Sequence, residues 1–117
     1  MFNTQLTNKI IESLVPLGVD KVILFGSYSK GVENEDSDID LLIVTKDAFT
    51  PASFHEKMKV KLKVANALEI IRESYSLDLI VLTRPMYKKF VELNSSFQKE
   101  ISSTGIILYE RDNQGVA

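Results

Sequence analysis

The run Asp38-Ile39-Asp40-Leu41-Leu42-Ile43-Val44 is apolar on both alternating faces once its two aspartates are passed. A strand of that kind has no face to give to water, so it belongs inside a sheet that is covered on both sides. Three shorter runs are its natural neighbours: Lys21 to Phe25, Leu77 to Thr83 and Ile106 to Tyr109. Helical periodicity fills the intervals. Phe2, Leu6, Ile10, Leu14 and Leu17 recur at helical spacing up to Gly18, where glycine stops the helix. Ser53 to Glu73 reads as a second helix, opened by a Ser53/Glu56 capping box, with Phe54, Met58, Leu62, Ala65 and Leu68 along one stripe. A rival strand period exists there, because Lys57, Lys59, Lys61 and Lys63 alternate with Met58, Val60, Leu62 and Val64. Length and the Ala-Leu-Glu continuation favour helix. Pro85 suits the first turn of a further helix, which breaks at Asn94-Ser95-Ser96 and restarts as a short helix ending at Gly105. Arg111 to Ala117 is a polar tail. Strands interleaved with helices make the expected fold α/β (α+β), a small mixed β-sheet of about four strands covered by helices, in one domain spanning residues 1–117.

Composition narrows the chemistry. The chain of 117 residues has no cysteine and a single histidine, His55. Disulfides, iron–sulfur clusters, thiolate zinc and histidine-rich metal centres are therefore excluded. The net charge of −2 offers no global attraction for nucleic acid or an anionic membrane, so any polyanion is bound locally. No apolar run reaches the roughly 20 residues of a membrane span, and Met1-Phe2-Asn3 lacks the order of a signal peptide, so a cytoplasmic protein is expected.

Three features carry the chemistry: Gly26-Ser27 after the first strand, Asp38-Ile39-Asp40 at the start of the second, and Asp78 near the start of the third. Side chains two apart on a strand share a face, which aims Asp38 and Asp40 the same way. Asp78 interrupts an otherwise apolar run, and if its strand lies beside the second it completes a cluster of three carboxylates. Like charges about 4 Å apart repel by about 4 kcal/mol at an effective dielectric of 20, so the cluster calls for a divalent cation. Oxygen ligands that leave positions for water and phosphate suit Mg²⁺, and two such ions roughly 3.5–4 Å apart serve in-line displacement at phosphorus. Gly26 permits close backbone approach, the turn from Ser27 to Lys30 presents amide N–H groups beside the Ser27 hydroxyl, and Lys30 can neutralise one further phosphate charge.

Two look-alikes fail. Gly26 and Gly31 have Walker A spacing, but Val32-Glu33 stand where lysine and serine or threonine are required. Asp36, Asp38 and Asp40 match the first ligands of an EF-hand, but Leu41 holds the obligatory glycine position and a strand follows.

Gly26-Ser27, then ten residues, then Asp38-x-Asp40, with a later strand aspartate, resembles the DNA polymerase β-like nucleotidyltransferase superfamily. More narrowly it is similar to the minimal nucleotidyltransferases, the MNT antitoxins encoded beside HEPN partners. The ending Phe97-Gln98-Lys99-Glu100-Ile101 through Gly105-Ile106-Ile107-Leu108-Tyr109-Glu110 is typical of that group, so the resemblance covers nearly the whole chain. It implies that Asp38 and Asp40 hold two Mg²⁺ ions, that Asp78 is the third carboxylate and general base, and that Gly26 and Ser27 cradle the triphosphate of ATP. Family members often carry arginine before the second glycine; Lys30 keeps that charge but loses the bidentate fork.

The implied reaction transfers AMP from ATP to a hydroxyl, with a HEPN-family toxin as acceptor because the chain has no segment left over to bind one. Two alternatives stand beside it: a binding-only antitoxin that neutralises by occlusion, and a free-standing small-molecule adenylyltransferase. The remaining polar residues have simpler expectations. His55 and the acidic loop Glu33, Glu35 and Asp36 are expected at the surface, Tyr28 and Tyr87 half-buried, and the four lysines solvated.

Overall fold

A computed structural model describes residues 4–34 and 36–111. The strands are β1 (Lys21–Phe25), β2 (Ile39–Val44), β3 (Leu77–Leu82) and β4 (Ile106–Glu110); the helices are α1 (Thr4–Leu14), the single turn α2 (Ser27–Lys30), α3 (Phe54–Ala67), the single turn α4 (Glu69–Arg72), α5 (Arg84–Leu93) and α6 (Ser96–Thr104). One mixed sheet in the order β3-β2-β1-β4 results. β1 pairs antiparallel with both β2 and β4, and β2 pairs parallel with β3. The expected α+β architecture is what forms, with the doubly apolar strand β2 in the interior and its Leu41 to Ile43 fully buried.

The pleat divides the core into two layers. Leu24, Leu41, Ile43 and Leu79 point to one side, where Leu6, Ile10 and Leu14 of α1 and Val64, Ala65, Leu68 and Ile71 of the α3–α4 segment cover them. Ile23, Phe25, Leu42 and Val44 point to the other, against Ile101 of α6 and Tyr87 and Phe90 of α5. Gly18, at φ 75°, ends the short 3₁₀ turn Val15–Leu17 that follows α1. Asn94, at φ 51°, separates α5 from α6, whose N-cap Ser95 accepts from the Gln98 N–H. At the end of the sheet where β2 finishes, Asp20 is clamped by Arg84 at 2.5 Å and Arg111 at 3.4 Å.

Several boundaries differ from expectation. The segment 57–64 is helical, and the Ser53 cap accepts from the Glu56 N–H as the sequence predicts. The helix then interrupts at Leu68 before α4. Its buried stripe is shorter than expected. Phe54 and Leu62 are 76% and 52% exposed, because α3 fully buries side chains only at Val64 and Ala65, close to its C-terminal end. Arg111 is part of the fold rather than of a tail, since its backbone N–H donates to Asp20 and its guanidinium to the Gly18 carbonyl. Phe2, Glu35 and residues 112–117 lie outside the described residues.

Candidate active site

The site is built by sheet register. In the parallel β2–β3 pair, Asp40 stands directly opposite Asp78, and on the other side of β2 Phe25 of β1 is the partner of Asp40. Phe25, Asp40 and Asp78 therefore form one row across three strands, on the face that buries Ile23 and Leu42 deeper in, with half-buried Ile80 against them. Alternation gives Asp38 that same face, one step before the strand begins. The sequence requirement that β3 lie beside β2 is met, and met in register.

Asp40 is the half-buried member, with Asp38 and Asp78 more exposed. Its carboxyl is held above the ordinary aspartate value, first by burial, then by the charges of Asp78 and Asp38 and by the hydrogen bond its protonated form donates to Asp78. An excess of negative charge is thus concentrated on one row. Among the described residues no group of three or more Asp, Glu and His side chains is arranged to hold a metal ion as it stands. The donor set nevertheless fits a hard divalent cation: oxygen only, two carboxylates in contact and a third contributing its charge.

Gly26 meets this row from above. It caps α2 at φ 76° and ψ −153°, a conformation open to glycine and strained for every L residue. A Cβ there would lie 2.0 Å from Asp40 Oδ2 and 3.0 Å from Asp40 Cγ. The sequence assigns Gly26 to close approach by a ligand; in the structure the group that approaches closely is the Asp40 carboxylate itself. Ser27, half-buried, starts α2, and Ser29 Oγ ties the turn by donating to the Gly26 carbonyl at 2.9 Å.

The phosphate contact expected of Lys30 has a competing partner. Lys30 ends α2 with its Nζ 3.1 Å from Glu100 Oε2 on α6, so its charge is already engaged. The helix α6 thereby bridges to the glycine turn, and its Phe97 packs edge-on against Phe25 with centroids 5.5 Å apart. Sequence reasoning missed this bracing, because a contact spanning 70 residues leaves no local signal. It also missed Glu33, read as a solvated loop residue, whose Oε1 is buried without a hydrogen-bond partner among the described residues. His55 is exposed as expected, and Tyr28 and Tyr87 are half-buried, each packed against a core layer.

Comparison with known proteins agrees with this geometry. A family model described as "Polymerase beta, Nucleotidyltransferase" matches residues 8–114. A protein of Methanocaldococcus jannaschii named "Putative protein adenylyltransferase" is 36% identical over 99 residues, covering 84% of this chain and 87% of that protein. Two crystal structures share the fold. One, of a "putative nucleotidyltransferase" from Sulfolobus solfataricus, has a TM-score of 0.57 at 18% identity over 92% of this chain and 78% of that one. The other, of a "toxin-antitoxin with AMP-PNP", has a TM-score of 0.54 at 24% identity over 91% of this chain and 74% of that one.

Proposed function

The chain belongs to the polymerase β nucleotidyltransferase family, and from that premise we propose that it transfers AMP from ATP to a hydroxyl of a partner protein. The observation that carries this reading is the in-register row of Asp40 and Asp78 with Asp38 at its mouth and Gly26 against Asp40. Asp38, Asp40 and Asp78 are the residues that would hold Mg²⁺, which supplies charge neutralisation at the triphosphate and acidifies the acceptor hydroxyl. Ser27 and the α2 turn orient the triphosphate. Asp78, at the exposed edge of the row, accepts the proton of the attacking hydroxyl. The new bond forms between that oxygen and the α-phosphorus, the bond to the β-phosphate bridge breaks, and pyrophosphate leaves. Orientation of the two reactants in line supplies much of the rate.

A protein acceptor is favoured by the M. jannaschii relative, whose name describes that activity, and by a fold neighbour solved as a toxin–antitoxin. The resemblance to minimal nucleotidyltransferases makes a HEPN-family protein, in a toxin–antitoxin pair, the partner to test first. Incubating the chain with Mg²⁺, ATP labelled on the α-phosphate and that partner should leave label covalently on the partner. Asp78→Asn should slow transfer by about 10²–10⁴, as removal of a general base does. If the parent protein transfers no label and Asp78→Asn neutralises the partner equally well, occlusion without chemistry is the activity and the catalytic reading fails.

A further inference from the structure

Four aromatic rings are linked on the face of the sheet that carries the carboxylates. Tyr87 and Phe90 stack with centroids 6.3 Å apart, Phe90 meets Phe97 edge-on at 6.0 Å, and Phe97 meets Phe25 edge-on at 5.5 Å. Tyr87 lies at the far end, where Lys21 Nζ stands 5.2 Å from its ring, and Phe25 belongs to the carboxylate row itself, opposite Asp40. Burial is uneven along the series. Phe25 is 7% exposed and Tyr87 and Phe90 are half-buried, but Phe97, the ring next to Phe25, is 39% exposed. Ile101, 5% exposed, anchors α6 in this layer, so docking of the helix leaves the exposed part of the Phe97 ring unused.

Phe97 is held beside the glycine turn. It occupies the first turn of α6, behind the Ser95 cap, and Glu100 of the same helix is paired with Lys30 at the end of α2. The row runs Asp78, Asp40, Phe25, so Phe97 packs on the member farthest from Asp78, on the side where Ser27 and α2 would receive the triphosphate. One strand spacing, about 5 Å, separates Phe25 from Asp40. The Phe97 ring is a further 5.5 Å from the ring of Phe25. A ribose with its 5′-phosphate bridges a gap of that order.

We infer that the exposed part of the Phe97 ring is the platform on which the base of the nucleoside triphosphate stacks, and that it favours purines over pyrimidines. Every base has a π-face, so an aromatic side chain holds it without reading its edge, and the larger ring system buries more area. A side chain of the acceptor fits this place less well, because its hydroxyl has to reach Asp78 at the other end of the row. The inference rests on the nucleotidyl-transfer reading given above and adds to it the group that holds the base.

The chain contains no tryptophan, so Phe97→Trp introduces a single fluorophore at the contact to be tested. In that variant Mg²⁺ with ATP should quench the emission over the concentrations at which calorimetry reports binding. Inorganic tripolyphosphate with Mg²⁺, which offers no base, should compete for the site without quenching. In the parent chain ATP and GTP should bind alike, and CTP and UTP more weakly. Phe97→Leu should lower ATP affinity about tenfold and leave tripolyphosphate affinity unchanged, and Phe97→Tyr should retain the parental values. ATP binding without quenching, parental ATP affinity in Phe97→Leu, or UTP binding as tightly as ATP overturns the platform and leaves the transfer reading intact. Equal losses for ATP and tripolyphosphate in Phe97→Leu also overturn it, since they identify a ring that only supports the glycine turn. If the parent chain binds neither ATP nor tripolyphosphate, the transfer reading fails and this inference falls with it.

Discussion

Gly26→Ala is the substitution whose consequence the structure specifies most closely. Two costs add. Placing an L residue at φ 76° and ψ −153° strains the backbone by about 1–3 kcal/mol. The new methyl also lies 2.0 Å from Asp40 Oδ2, too close to persist, so the carboxylate must swing away from the row it shares with Asp78. For a chain of this length the unfolding entropy is about 0.25 kcal/mol per degree, and the backbone strain alone should lower Tm by about 4–12 °C. Displacement of Asp40 should abolish transfer even where the protein remains folded. A double-mutant cycle separates the two costs. In an Asp40→Ala background the carboxylate is gone and only the Asp40 Cβ remains, 3.3 Å from the added methyl. The penalty of Gly26→Ala should then fall toward the backbone strain, giving a coupling energy of about 1 kcal/mol or more, measured by thermal or urea unfolding of all four proteins. Equal penalties in both backgrounds would refute the contact and return Gly26 to a role as a turn residue alone.

Other outcomes follow from the same structure. Asp40→Asn should raise Tm at neutral pH, because the folded environment disfavours the charged form; the site is partly exposed, which limits the gain to about 1 kcal/mol or less. The sign follows from the direction of the shift: the stability that protonated Asp40 contributes is fully present below its ordinary value of 3.8 and is lost as pH rises through its elevated folded value. The Tm difference between parent and variant should therefore shrink on acidification, and a difference that grows toward low pH contradicts the assignment. Leu68→Ala, at a fully buried position where α3 gives way to α4, should cost about 2–5 kcal/mol in urea unfolding. Glu100→Ala should change stability by less than about 1 kcal/mol, since both partners of its ion pair with Lys30 are solvent-exposed; a larger loss would show that this bracing of the glycine turn is structural.

Local chemistry was enough to place most of the elements. The run after Asp40 has one stable environment, an interior strand; Ser53 and Ser95 stand at helix starts they can cap; Gly18 and Asn94 stand where a helix must end in a left-handed residue. The pairing of Asp38 with Asp40 followed from the two-residue period of a strand and needed no partner. What the sequence could not decide was everything that depends on register and on distance along the chain. That Asp78 sits opposite Asp40, and not one step away on the other face, is set by how β3 docks beside β2, and a slip of one residue would turn it into the opposite layer. That Gly26 is needed by the Asp40 carboxylate depends on the antiparallel turn back from β1 to β2. Periodicity misjudged α3, because a helical stripe reports which side chains share a face and not how far the underlying sheet extends; Phe54 and Leu62 precede Val64 and Ala65, the two side chains that α3 fully buries. Lys30 likewise met Glu100 only when α6 folded across the turn, since an ion pair between residues 70 apart is decided by packing and leaves no trace in either neighbourhood.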